Sequence, residues 1–137
     1  MNRTFPKSEH LYGIKTIERL YNQGSVFVSY PFRVVYFMVE DKTESVPVRA
    51  MVSVSKRKFK NAVDRNRIKR LMRETYRLNK SRLIEFIREN DLNVHLAFQY
   101  ISDEIISFAE MNSKMEKALD KLIKIISVKV KNIDEIG

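Results

Sequence analysis

The sequence predicts an α+β fold, a small α/β sandwich in the order helix, strand, strand, helix, strand, helix. Two observations carry that expectation. Apolar residues recur at helical spacing in three separate stretches, and β-branched and aromatic residues crowd the segments between them. At 137 residues and 44% apolar content the chain can bury one core and not comfortably two, so residues 1–137 read as a single domain. Loose tails are expected at about 1–7 and 129–137.

Leu11, Ile14, Ile17, Leu20 and Tyr21 mark a first helix over residues 8–23, with Ser8 as its N-cap and Gly24 as its C-cap. From Ser25 to Val39 the chain turns to Val, Phe and Tyr, interrupted by Pro31, with Phe32–Val39 the strongest strand run. Glu40–Ser45 is polar and turn-like. Val46–Ser55 then sets Val48, Ala50, Val52 and Val54 on one face, and the two strands read as a β-hairpin. Asn61 is placed to cap a helix whose apolar side gathers Ile68, Leu71, Met72 and Thr75. Leu83, Ile84, Phe86 and Ile87 fall in a different phase, which predicts a break at Asn79–Ser81 before the helix continues to about Glu89. Asn93–Ile101 supplies a third strand. Ile105–Ile126 closes the fold as an amphipathic helix, with Asp103 and Glu104 at its start where acids favour the dipole.

Charge is distributed unevenly along this frame. Residues 56–82 hold 12 Lys and Arg against Asp64 and Glu74, while the rest of the chain carries 14 bases and 15 acids. A chain of net charge +9 is thus a nearly neutral protein with one strongly basic element. At about 100° per residue, Arg65, Lys69, Arg73, Asn66, Arg77 and Arg70 occupy an arc of about 140° away from the apolar stripe. A solvated helix face held by local pairs such as Arg70 with Glu74 is the ordinary reading of such a run. Here two acids cannot neutralise twelve bases, and like charges such as Arg65 with Lys69 cost a few tenths of a kcal/mol each, roughly. The surplus points to a polyanionic partner. Arginine grips phosphate in pairs or stacks on a base, which favours nucleic acid over an acidic protein.

Other classes are disfavoured. Zero Cys leaves no disulfide-linked partner, no thiolate and no Cys-held zinc, and His10 and His95 are too far apart for a local metal motif. With no run of 18 apolar residues, no signal-like N-terminus and no Trp beside the basic helix, no membrane partner and a cytoplasmic location are expected. Independent hydrolysis would need a carboxylate cluster or a His pair, and none is visible; Asp64 reads as an N-terminal helix charge.

The string Asn61-Ala62-Val63-Asp64-Arg65-Asn66-Arg67-Ile68-Lys69-Arg70-Leu71-Met72-Arg73, preceded by Ser53-Val54-Ser55-Lys56-Arg57, resembles the signature of the protein subunit of bacterial ribonuclease P. The resemblance implies a βαβ crossover of left-handed sense, against the usual rule. It also implies a ribonucleoprotein in which the RNA subunit and substrate hold Mg²⁺ and the 5′ leader of precursor tRNA is removed. The protein alone is expected to be inactive, with no catalytic residue and no metal ligand of its own. By position, Lys56, Arg57, Lys58, Lys60, Asn61, Arg65, Asn66, Arg67, Lys69, Arg70 and Arg73 are the expected RNA contacts. A cleft for the leader is expected at Ile17, Tyr21, Phe32 and Tyr36, with Ile17 standing where the family often has an aromatic residue, and with an ordinary core position the alternative for Phe32 and Tyr36. Lys58-Phe59-Lys60 precedes Asn61 where the family commonly has glycine, so this loop is expected to take its own path. A plain RNA-binding or ribosome-associated module is the alternative, and retrieval of ribosomal RNA without ribonuclease P RNA would favour it.

Overall fold

The computed structural model describes residues 4–40 and 44–136. A short 3-10 turn at Lys7–Glu9 leads to α1 (Ile14–Gln23), then β1 (Ser25–Ser29), β2 (Phe32–Met38) and β3 (Val48–Val54). The chain continues through α2 (Ala62–Asn79), α3 (Ser81–Glu89), β4 (Val94–Tyr100) and α4 (Phe108–Ile136). Four strands form one sheet in the order β1-β2-β4-β3.

That order corrects the expected pairing. The segment around Pro31 is a hairpin turn, and β1 and β2 lie antiparallel from Ser25↔Tyr36 to Ser29↔Phe32. β2 and β3 do not pair; β4 lies between them, antiparallel to β2 and parallel to β3. Two physical reasons account for this. The connection from β2 to β3 is longer than the two to five residues that usually close a hairpin. In addition, β4 is apolar or buried on both faces, the signature of a central strand.

Alternation along the strands builds two unequal layers. On one face Phe32, Val34, Tyr36, Leu96, Phe98 and Tyr100 pack against Ile68, Met72 and Tyr76 of α2 and Met111, Met115 and Leu122 of α4. On the other, a smaller cluster of Leu11, Leu20, Val35 and Ala97 seats α1, with Ile17, Phe37 and Met51 packed against it. Gly24 closes α1 by donating its backbone N–H to Leu20 O. It must be glycine, because a Cβ there would lie 2.3 Å from Leu20 O and 2.8 Å from Tyr36 O.

Several helix ends differ from expectation. Ser8 lies in the 3-10 turn, and α1 begins after Gly13, whose φ of 95° favours glycine. Asp103 and Glu104 precede α4 by several residues instead of starting it. Ser107 Oγ accepts from Glu110 N–H at that terminus, while Asp103 pairs with Lys58 at 3.5 Å. At the chain ends, Phe5 packs on His10 and Tyr76, and α4 runs on to Ile136, past the expected start of a loose tail. Residues 1–3 and 137 of those tails, and 41–43 of the predicted turn, lie outside the described residues. The break at Lys80 and the Asn61 cap, whose Oδ1 accepts from Val63 N–H at 2.8 Å, are as the sequence indicates.

A buried polar cluster on the α1 side sets an acid limit on stability. His95 is 2% exposed and its Nε2 lies 3.0 Å from Glu44 Oε1, while Glu44 Oε2 accepts from Arg49 Nε at 2.6 Å. Burial pushes the His95 imidazole below its ordinary value, outweighing the Glu44 hydrogen bond that raises it; the charges of Arg19 and Arg49 push the same way as burial. The folded chain therefore takes up this proton less readily than the unfolded chain. Stability is full above the unfolded pKa of about 6.5 and falls as pH drops toward the lower folded value. Burial pulls the Glu44 carboxyl upward, but hydrogen bonds from Arg49 and His95 together hold it below its ordinary value. Its contribution is present above the unfolded pKa of about 4.5 and is lost as pH falls through the folded one. Thermal melts should lose stability in two stages on acidification, and His95→Gln should remove the first; an unchanged profile in that variant would contradict the assignment.

Candidate nucleic-acid interface

The basic segment is held by three anchors. Phe59 is buried against Tyr100, with ring centroids 6.1 Å apart, and pins the loop to the core. Lys58 Nζ donates to Ile101 O at 2.5 Å. Arg65 donates through one guanidinium nitrogen to Phe59 O at 2.7 Å and Lys60 O at 2.9 Å. These contacts do locally what a glycine turn would otherwise do, which explains how Lys58-Phe59-Lys60 reaches the Asn61 cap.

Arg65 is consequently committed to the fold. The buried face of α2 comprises Ile68, Met72, Thr75 and Tyr76. Once Tyr76 is included, that arc runs from about 280° through zero to about 20° when Arg65 is set at 0°. Arg65 thus leans inward instead of lying on the outer face. Asn61 is likewise occupied as the cap, and Lys69 is half-buried at the arc's edge. Asn66, Arg67, Arg70 and Arg73 are exposed and face outward, with Lys56, Arg57 and Lys60 exposed on the loop beside them. Among the described residues these seven side chains make no ion pair. The other bases of the segment are spent internally: Arg77 on Glu74 at 2.5 Å, Arg82 on Asp120 at 2.9 Å, and Lys80 on Glu9.

Beside this edge lies an incompletely covered sheet face. In register across the four strands, Val28, Arg33, Gln99 and Ser53 form one row on the α1 side, at the end of the sheet from which the basic loop leaves. α1 covers Val35 and Ala97 of the next row and leaves this one open, with Val28 exposed at its β1 end. Arg33 donates to Gln99 Oε1 at 2.6 Å, and Gln99 Nε2 donates to the Tyr21 hydroxyl at 3.3 Å. Tyr21, 37% exposed, rises from α1 as the wall of this shallow trough.

Two of the expected cleft residues are elsewhere. Phe32 and Tyr36 are 0% and 4% exposed on the opposite face of the sheet, where Phe32 packs edge-on against Phe98 and Tyr100. The alternation that puts Val34 in the core carries them with it, so they offer no surface to a ligand. Ile17 is partly buried beneath α1 and serves mainly as packing. Arg33 and Gln99 were missed, although the same alternation in Phe32–Met38 sets Arg33 on the α1 face. Among the described residues no three His, Asp or Glu side chains gather as metal ligands.

The fold is a small α+β domain of the basic class, with a one-sided arginine helix on one face of the sheet and an open, polar-lined row on the other. The chain belongs to the ribonuclease P protein family, whose model matches residues 5–123. It is 40% identical over 116 residues to the ribonuclease P protein component of Porphyromonas gingivalis, covering 85% of this chain and 84% of that one. It is 33% identical over 126 residues to that of Chlorobaculum tepidum, covering 86% and 82%. The fold is similar to that of the Staphylococcus aureus RNase P protein, with a TM-score of 0.64 at 22% identity over 85% of this chain and 96% of that one. A mutant of the S. aureus protein with defective mRNA degradation activity matches with a TM-score of 0.67 at 21% identity, over 85% and 89%. The chain is therefore a protein component of an endoribonuclease whose partner is the ribonuclease P RNA.

Proposed function

We propose that the outer face of α2 grips the catalytic RNA, and that the open row of the sheet receives the 5′ leader of precursor tRNA during its removal. The observation that carries this reading is that the basic loop, leaving β3 just after Ser53 of the open row, joins the trough of Tyr21, Gln99 and Arg33 to the outer face of α2, and that the seven exposed polar and basic side chains of loop and helix make no ion pair among the described residues. Arginine forks at Arg67, Arg70 and Arg73 suit paired phosphate oxygens. Tyr21 offers a ring for a base to stack on, and Arg33, held by Gln99, offers charge to the leader backbone at the floor. Mg²⁺ belongs to the RNA and its substrate in this account, and the protein contributes binding and orientation in the cytoplasm. Without the RNA it does not hydrolyse.

With the RNA subunit and precursor tRNA at low Mg²⁺, the protein should raise the cleavage rate well above that of RNA alone; no gain would sink the reading. Tyr21→Ala should weaken binding of precursor tRNA by about 1 to 3 kcal/mol, the usual worth of one stacked base, and leave affinity for mature tRNA unchanged. Equal losses for both substrates would move Tyr21 off the leader path.

A further inference from the structure

Outside the α2 segment the charges balance in number but not in space. Between Lys114 and Lys131, α4 carries six lysines against Glu116 and Asp120. At about 100° per residue, Lys117, Lys124 and Lys131 lie within about 40° of one another, directly opposite the buried Met115 and Leu122. All three are exposed, and among the described residues none makes an ion pair. They recur every seven residues, about 10.5 Å apart along the axis, so the ridge is about 21 Å long.

The neighbours explain why this ridge stays uncompensated. Glu116 and Asp120 lie on the flank that faces α3, where Asp120 is taken by Arg82 at 2.9 Å. On the other flank, Lys121 donates to Val28 O at 3.0 Å and sits over the Phe27 ring, and Lys129 donates to Ser25 Oγ at 3.3 Å over Tyr36. Those two lysines fasten α4 to the edge strand β1 and blunt that edge against pairing. Lys114 has Glu110 one turn before it. What remains is a straight line of three point charges facing solvent, with like-charged Lys121 one turn from both Lys117 and Lys124.

We infer that this lysine ridge is a second contact line for the backbone of an RNA segment, distinct from the one gripped by α2. The inference rests on the RNA partnership proposed above and adds a site to it. α2 packs over β3 and α4 over β1, and these are the two opposite edges of the sheet. The two basic surfaces thus belong to different helices of one layer, set over opposite edges of the sheet. Because the two surfaces sit on different helices, a folded RNA, or an RNA with its substrate, can lay a separate stretch of backbone on each. Lysine in place of arginine fits backbone attraction without paired geometry, so this line should be indifferent to sequence.

The test is the salt dependence of protein binding to the catalytic RNA complexed with precursor tRNA. Lys117→Gln, Lys124→Gln and Lys131→Gln together should lower the log-log slope by about 2 to 3, at 0.7 to 0.9 per lost phosphate contact, with the melting temperature unchanged. Replacing the same three by arginine should keep the original slope. A wild-type slope in the glutamine variant, alongside a reduced slope on removing Arg67, Arg70 and Arg73, would overturn the ridge and leave the α2 reading standing. If neither variant alters the slope, both fail.

Discussion

Replacing Arg67, Arg70 and Arg73 together by alanine should reduce the salt slope of RNA binding by about 2 to 3 and collapse assembly at moderate salt, while leaving the fold intact. All three are exposed and unpaired among the described residues, so nothing inside the protein loses a partner. Arg65 provides the internal control. Its guanidinium holds Phe59 O and Lys60 O, and Arg65→Ala leaves two carbonyls without their charged donor. Hydrogen bonds to a charged group are worth about 1.5 to 3 kcal/mol, so this variant should unfold more readily and shift the loop, with a smaller effect on the slope. Equal slopes for Arg65→Ala and the triple variant would contradict the division of labour between inward and outward arginines.

Lys80→Ala should be among the most destabilising single changes in the chain, by about 3 to 5 kcal/mol. Lys80 is 1% exposed at the junction of α2 and α3, where Nζ donates to Glu9 Oε1 at 2.5 Å and to the Thr4 carbonyl. Removing it strands the Glu9 carboxylate, itself nearly buried, beside the Tyr76 hydroxyl, which has no partner among the described residues. Burial, and then the Glu9 charge, push the Tyr76 phenol well above its ordinary value, so that hydroxyl stays neutral and cannot replace the positive charge that Lys80 supplied. Lys80→Met with Glu9→Leu should recover most of the loss, because a buried pair replaced by apolar groups is often neutral. Urea unfolding of the three variants checks this. Equal stability of Lys80→Ala and wild type would mean the pair contributes nothing.

These two lysine and arginine cases also mark how far the sequence could be read. Net charge located the basic segment, and helical phase separated most of its outer face from its core. Phase alone missed Tyr76 as a core residue, and with it the inward lean of Arg65, since a tyrosine near the end of a basic helix carries no apolar label. Charge counting also treated Lys80 as part of the surplus, because its partner Glu9 is 71 residues away in sequence. Strand propensity found the strands but not their order. Pairing is decided by which strand must be buried on both sides, and the hairpin expectation followed adjacency instead. The leader trough was half legible: Tyr21 stands on it, while Phe32 and Tyr36 were open to both a cleft and a core reading, and period-two alternation sends them to the core. The α4 ridge escaped because a sum over the remainder of the chain cancels charges that the helix keeps apart.

The chain has no cysteine, so a single introduced thiol gives one attachment point for a photoreactive group. Val28→Cys places it on the open sheet row and Asn66→Cys on the outer face of α2, neither removing a described contact. Assembled with the catalytic RNA and precursor tRNA, the Val28 probe should crosslink to the 5′ leader and the Asn66 probe to the catalytic RNA. Crosslinks from Val28 that ignore the leader, or from Asn66 that fall on the leader instead of the RNA subunit, would contradict the assignment of the two surfaces.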